Sequence, residues 1–299
     1  MSGTNKINLH THCTFCDGKN TAEEMVIAAI EKEFTALGFS SHSIHPVSPE
    51  FYIAPDDDWH IHTERFNDYI KEIERLKGKY SNQIQIYTGF EADYFEAPSI
   101  GSAIPDFAAY IEFQPDFLIG SVHFVNTPKG FYTVDHTVEN IQENLKKLYT
   151  DEKTGLIDGK RAVCEYFAAE RQMLAKGNFN IIGHADLIRK RNGILKLFDE
   201  KEDWYILELK ATAEAIAKAG VVAEINTGAI ARGIMDDVYP SSPFLEFLFA
   251  KKVPVCINSD CHNAPYLDCA FDKAAAIAKK IGYTELIYPI KNKTISVKL

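Results

Sequence analysis

The chain has 299 residues, 46% of them apolar and 25% charged, and carries a formal net charge of -10. That length suits one large core of the α/β-barrel kind, and the apolar share excludes a disordered chain. The acidic balance argues against a nucleic-acid backbone as main partner, because such binding rests on clustered Lys and Arg.

Seven short apolar runs punctuate the sequence, and six of them stop at a residue of metal-ligand type. The first, Ile7 to Leu9, leads into His10, Thr11 and His12, with Asp17 close behind. Residues two apart on a strand face the same way, so His10 and His12 can hold one ion together. Thr21, Ala22, Glu23 and Glu24 then read as a capping box opening a helix through Met25, Val26, Ala29 and Ile30.

The second run, Ala36 to Phe39, precedes Ser41 and His42. A long connection from Ser43 to His62 follows, containing His45, Glu50, Phe51, Tyr52 and Trp59. It ends in a second His-x-His pair, His60 and His62, which follows Asp56, Asp57 and Asp58 and has no apolar run before it. That pair reads as a solvated helix start outside the metal set, and His45 as an exposed loop histidine. After a helix near 64–77, the third run, Ile84 to Thr88, leads to Glu91.

The fourth run, Phe117 to Ile119, precedes His123. Asn126 to Gly159 is another long connection, and segments of this length tend to be lids or binding loops. Its Asp135 and His136 read as exposed loop residues. Helices are expected near 139–149 and 160–176. The fifth run, Phe179 to Ile182, leads to His184 and then Arg189.

Beyond a helix near 203–219, the sixth run, Val221 to Ile225, ends in Asn226, Thr227 and Gly228, a turn without a ligand but suited to an anion contact, ahead of Arg232. A helix near 243–251 precedes the seventh run, Val253 to Ile257, which leads to Asp260 and His262. A last helix is expected near 270–281.

This alternation predicts βα units on a parallel sheet in a single domain, residues 1–299. In a barrel every strand end opens on one face, so the scattered residues converge there. Any one histidine is about as well explained as a hydrogen-bonded core residue, but six separate strand ends strain that explanation. The set holds nitrogen and oxygen ligands only, in excess of one tetrahedral zinc, which implies two or three ions of Zn, Mn or Fe type.

Six cysteines without disulfide density predict reduced thiols, and Cys13-x-x-Cys16 lacks the helix start of a thioredoxin-like redox pair. With no signal-type start and no apolar stretch of membrane-spanning length, a cytoplasmic protein without a membrane partner is expected.

Taken in order, the motifs resemble the polymerase and histidinol phosphatase (PHP) superfamily, and within it the histidinol-phosphatases. The resemblance rests on His10-Thr11-His12, Asp17, Phe39-Ser40-Ser41-His42, Gly89-Phe90-Glu91-Ala92-Asp93-Tyr94 and Gly120-Ser121-Val122-His123-Phe124. It continues through Gly183-His184-Ala185-Asp186-Leu187-Ile188-Arg189, Glu224-Ile225-Asn226-Thr227-Gly228 with Arg232 and Tyr239-Pro240-Ser241, and Asn258-Ser259-Asp260-Cys261-His262. It implies a distorted (β/α)7 TIM-like barrel of PHP type, with three divalent metal ions. One ion would rest on His10, His12, Glu91 and Asp260, a second on Glu91, His123 and His184, and a third on Asp17, His42 and His262. Some relatives carry an acid where this chain has Ser41, so only His42 is assigned there.

The implied activity is hydrolysis of L-histidinol phosphate in histidine biosynthesis, by a metal-bridging hydroxide attacking phosphorus. Three dications against three carboxylates and a hydroxide would leave about two positive charges for the phosphate dianion. Arg189 and then Arg232 are the expected phosphate clamps, since a guanidinium forms a bidentate fork. Asp260 or a water on a metal is considered for the leaving-group acid without a choice between them. The other readings are a PHP phosphoesterase acting on another small monoester or nucleotide, and a metal-binding regulatory protein.

Overall fold

The computed structural model describes residues 5–43, 59–97, 101–291 and 293–299. Its main sheet runs β1 (Lys6–Asn8), β2 (Phe34–Phe39), β3 (Gln85–Asp93), β4 (Phe117–Ser121), β5 (Ile181–Ile182), β6 (Val222–Asn226) and β7 (Val255–Asn258). The strands lie side by side in chain order and pair in parallel, each apolar run having become one strand. A further strand of two residues, His42–Ser43, pairs with β3 and sets His42 beside Glu91.

Helices cover the sheet: α1 (Ala22–Glu31), α2 (Phe66–Lys79), α3 (Val138–Tyr149), α4 (Gly159–Lys176), α5 (Asp203–Ala219), α6 (Ser242–Ala250) and α7 (Phe271–Ile281). The capping box of α1 forms as its sequence requires. Thr21 Oγ1 accepts from Glu24 N, and Glu24 Oε2 accepts from Thr21 N at 2.8 Å. α5 stops where Gly220 takes a left-handed conformation at φ 71°, which costs a glycine nothing. The β3–β4 crossover holds only a 3-10 turn, Phe107–Tyr110, and a short hairpin among its described residues, which is one source of the barrel's distortion.

Closure is incomplete at the strands and happens just beyond them. Thr11 bridges Cys261, His12 N donates to Cys261 O at 2.9 Å, and Cys261 N donates to His10 O at 3.1 Å. Below this seam Leu9 N donates to Asn258 Oδ1 at 2.7 Å and Asn8 Nδ2 to Ser259 Oγ at 2.6 Å. The core is packed to contact. The Phe117 ring lies against Gly38 and Gly89 so closely that a Cβ at either would come within 2.8 or 2.5 Å of it.

Two connections differ from simple loops. The one from Asn126 to Gly159 is ordered as a hairpin, Phe124–Thr127 with Gly130–Thr133, followed by α3. Of the connection between Ser43 and His62, residues 44–58 lie outside the described residues, and with them His45, Glu50, Phe51 and Tyr52. A C-terminal hairpin, Glu285–Ile290 with Lys293–Lys298, docks on β7 through Tyr288, whose hydroxyl donates to Ile257 O at 3.1 Å. Among the described residues no helix is long and apolar enough to cross a membrane, and the six cysteines are unpaired.

Candidate metal centre

The parallel strands deliver their ligands to one face, and Glu91 from β3 becomes the centre of the group, with no exposed surface. Its Oε2 lies 3.1 Å from His10 Nε2, 3.5 Å from His12 Nε2 and 3.0 Å from His42 Nδ1. The other oxygen, Oε1, lies 2.9 Å from His184 Nε2, 3.5 Å from His123 Nε2 and 2.7 Å from Ser121 Oγ. Asp260 Oδ1 is 3.3 Å from His12 Nε2 and 3.6 Å from His10 Nε2. Asp17 Oδ2 is 3.1 Å from His262 Nε2.

Three sets of ligand atoms are close enough for one ion each: His10, His12, Glu91 and Asp260; His12, Asp17, His42 and His262; and His42, Glu91 and His123. The buried atoms His10 Nε2, His12 Nε2, His42 Nδ1, Glu91 Oε2, Asp17 Oδ1 and Asp260 Oδ1 have no hydrogen-bond partner. Buried polar atoms without partners cost free energy, so a cluster aimed at common points fits cations that would satisfy it. Asp260 is also held in the left-handed region at φ 49°, a backbone compromise of the kind found at functional sites.

The expected sets and the observed ones differ in two respects. His42 takes the place of His184 beside Glu91 and His123, although the His184 ring lies 4.9 Å from that of His123 and its Nε2 is 2.9 Å from Glu91 Oε1, and His12 joins Asp17, His42 and His262.

Behind the ligands lie buried carboxylates that orient them. His10 Nδ1 is 2.7 Å from Glu224 Oε1, and Glu224 also accepts from His184 N, Asn226 Nδ2 and Asn258 Nδ2. His123 Nδ1 is 2.5 Å from Asp93 Oδ1, whose Oδ2 is 2.7 Å from His60 Nε2. His60 is therefore no solvated helix start. It is buried, and stays outside the metal sets because Asp93 engages it.

The field of this cluster splits the histidines. Burial lowers the pKa of His12 to about 3, helped by the neighbouring His262 and His42. Burial works the same way on His42, but Glu91 outweighs it, with Asp17 and Asp93 behind, and lifts the pKa to about 9. Burial opposes ionisation of Asp260, yet Arg232, His10 and His12 hold its carboxyl well below the usual range. An aspartate so held keeps its charge, which suits a cation ligand and an anchor for Arg232.

The face opens into a cavity of about 320 Å³ lined by Trp59, Asp135, Lys190 and Arg232 together with Lys19 and exposed edges of the cluster. Arg232 Nη2 donates to Asp260 Oδ2 at 2.8 Å, which fixes its guanidinium at the rim. Gly228 makes room for that pair, since a Cβ there would lie 2.7 Å from Arg232 Nη2 and 3.0 Å from Asp260 Oδ2.

Two further expectations need correction. Arg189 does not reach the cavity: its guanidinium is tied to Glu200 and Asp237, each at 2.7 Å, and to Asp186 at 3.4 Å. Its neighbour Lys190 lines the cavity instead, because adjacent residues on the turn at Leu187–Arg189 point in different directions. Asp135 is no free loop residue but forms the cavity wall, paired with Lys190.

The backbone amides of the Asn226–Gly228 turn are not free for an anion, although the buried Thr227 Oγ1 has no hydrogen-bond partner. Thr227 N donates to Asn258 O and Gly228 N to Asn226 Oδ1, which uses its amide donors internally. Cys261 does point away from the site, its thiol donating to Asn263 O. Cys16 Sγ lies 3.5 Å from His12 Nδ1 and forms no disulfide with Cys13.

Known proteins share this arrangement of strands. The chain is 26% identical over 276 residues to the histidinol-phosphatase of Bacillus subtilis, covering 88% of this chain and 96% of that one. Its fold is like that of histidinol phosphate phosphatase from Lactococcus lactis, determined in complex with zinc, L-histidinol and phosphate. The TM-score is 0.70 at 21% identity, covering 97% of this chain and 99% of the other. The family model described as "PHP domain" matches residues 8–228. That span runs from β1 to the end of β6 and takes in the histidines, Asp17 and Glu91 of the first five strand ends, and on this match the chain belongs to the PHP domain family.

Proposed function

We propose that the protein hydrolyses a small phosphomonoester, L-histidinol phosphate, to L-histidinol and phosphate. The observation that carries this reading is the convergence of unpartnered buried atoms of His10, His12 and His42 on Glu91 Oε2, with His123 and His184 at its other oxygen, at the floor of a cavity whose rim holds Arg232 and Lys190. Similarity over nearly the whole length to a protein named histidinol-phosphatase supports the choice of substrate.

In this reading one divalent ion would be held by His10, His12, Glu91 and Asp260, a second by Glu91, His123 and His184 with His42 adjacent, and a third by His12, Asp17, His42 and His262. When bound, such ions supply Lewis-acid charge and an activated water for attack on a phosphoryl group. The chain's own residues bind and orient. Arg232, anchored by Asp260, and Lys190 take the non-bridging phosphoryl oxygens, the first as a fork and the second as a point charge. Trp59 walls the cavity where the imidazole of the substrate would lie.

The chain forms one domain in this reading, because among the described residues a single apolar core extends from Ile7 to Val297. The test is phosphate release from L-histidinol phosphate beside a panel of sugar, nucleotide and amino-acid monoesters, with metal content measured on the same preparation. Preference for a nucleotide would replace the substrate while keeping the chemistry. Bound metal without phosphate release from any monoester would leave a binding protein.

A further inference from the structure

We infer that Asp135 is the specificity residue for a cationic amine on the substrate, and that it receives this amine in exchange for Lys190. The inference rests on the phosphatase reading and names what the pocket selects besides phosphate. Among the described residues three carboxylates line the cavity: Asp17, Asp135 and Asp260. Two of them face histidines of the metal cluster, Asp17 meeting His262 and Asp260 meeting His12. Asp135 alone is partnered by an alkylammonium, the Nζ of Lys190.

That pair is built rather than incidental. The Lys190 side chain is 5% exposed and that of Asp135 20%, and the segment carrying Asp135 is pinned on both sides. Val134 N donates to His123 O at 2.8 Å, Asp135 N to Thr133 Oγ1 at 3.1 Å, and Arg191 Nε to His136 O at 3.0 Å. The backbone that carries the carboxylate is thus tied to that of His123, one of the metal-cluster residues.

Charge balance gives the exchange its direction. A phosphate dianion entering beside Arg232 attracts Lys190, which reaches the same cavity. Once Lys190 turns to the phosphate, Asp135 would be left as a half-buried anion without its ammonium partner, at a cost in free energy. A substrate that brings its own primary ammonium replaces like with like, since that group has the chemistry of the lysine head it displaces. Every charge then stays paired. A monoester without the amine binds only by breaking the pair.

The experiment compares L-histidinol phosphate with 3-(imidazol-4-yl)propyl phosphate, which lacks only the amine, on metal-loaded protein. The wild type should favour the amine substrate in kcat/KM by about 10- to 100-fold, the range of a charged hydrogen bond. Asp135→Asn should bring the ratio close to one, and Asp135→Ser serves the same end if the first variant folds poorly. Lys190→Met should slow both substrates yet raise the ratio, because Asp135 then lacks any partner until the amine arrives.

A wild-type ratio near one, an unchanged ratio in the Asp135 variants, or a falling ratio in Lys190→Met would each overturn the inference. Phosphate release from neither compound by the wild type would instead overturn the phosphatase reading on which it rests.

Discussion

Glu224 Oε1 lies 2.7 Å from Nδ1 of His10, and neither side chain has any exposed surface. The contact fixes which imidazole nitrogen faces the cluster, because Nδ1 is spoken for and Nε2 is the one left toward Glu91 and Asp260. Glu224→Gln should therefore weaken metal binding by about 10- to 100-fold. Competition with a chromophoric chelator reads this directly, and activity should return at saturating metal. Unchanged affinity would reduce Glu224 to a packing residue.

The two arginines separate function from stability. Arg232→Met should lower kcat/KM by about 100-fold or more, through lost contact with the phosphoryl oxygens. Arg189→Met should leave turnover per folded molecule near wild type but destabilise the protein by about 3–5 kcal/mol, because Asp186 is fully buried beside it. Kinetics and thermal melts on both variants check the assignment, and it fails if the effects are reversed.

Metal binding should be steeply pH-dependent. A histidine whose pKa is raised from 6.5 to about 9, as for His42, stabilises the metal-free fold fully below pH 6.5 and loses that contribution as pH climbs through about 9. Ligation needs the neutral ring, so an ion must displace the proton throughout that window. Affinity should rise by up to about tenfold per pH unit across it, with proton release detectable by titration calorimetry in buffers of different ionisation enthalpy. A flat affinity from pH 6.5 to 9 would contradict this.

Gly228→Ala tests the fit at the rim. The added methyl would meet Arg232 Nη2 at 2.7 Å and Asp260 Oδ2 at 3.0 Å, so the guanidinium must shift. A loss of about tenfold in kcat/KM with a melting temperature within a few degrees of wild type is expected, as a small misplacement near the reacting groups costs rate before it costs stability.

Phe117→Ala addresses the packing that shapes the barrel. The ring fills the space left by Gly38 and Gly89, and its removal should cost about 3–5 kcal/mol in a urea melt. A loss below about 1 kcal/mol would mean that the neighbouring strands collapse into the gap.

The strands were legible in the sequence because each apolar run is short, and the candidate ligands because six of the seven runs lead into a His, Asp or Glu. The helix positions were legible for the same reason, their periodicity being uninterrupted: α5 runs over the predicted residues, and α2 begins two residues late. What escaped was decided by contacts across long separations. His60 differs from a surface histidine only through Asp93, 33 residues away.

Arg189 and Lys190 are neighbours, and nothing local says which of the two a short turn aims into the cavity. Glu224 did leave a signal, a charge inside the apolar run Val222-Ala223-Glu224-Ile225, where a buried parallel strand tolerates none without a task. Asp135 left no signal, since an acidic residue after a hairpin is ordinary on any surface.

The seam between Thr11 and Cys261 has a bearing on biosynthesis. Asp260 and His262, which complete two of the ligand sets, are among the last parts of the barrel to leave the ribosome, whereas His10 and His12 are among the first. During translation the early histidines wait with no closed site to enter, and contacts so distant in sequence form late. Tight uptake of metal would then report that the barrel has closed, so that any ions would arrive as the last components of a finished molecule and would not template its early folding.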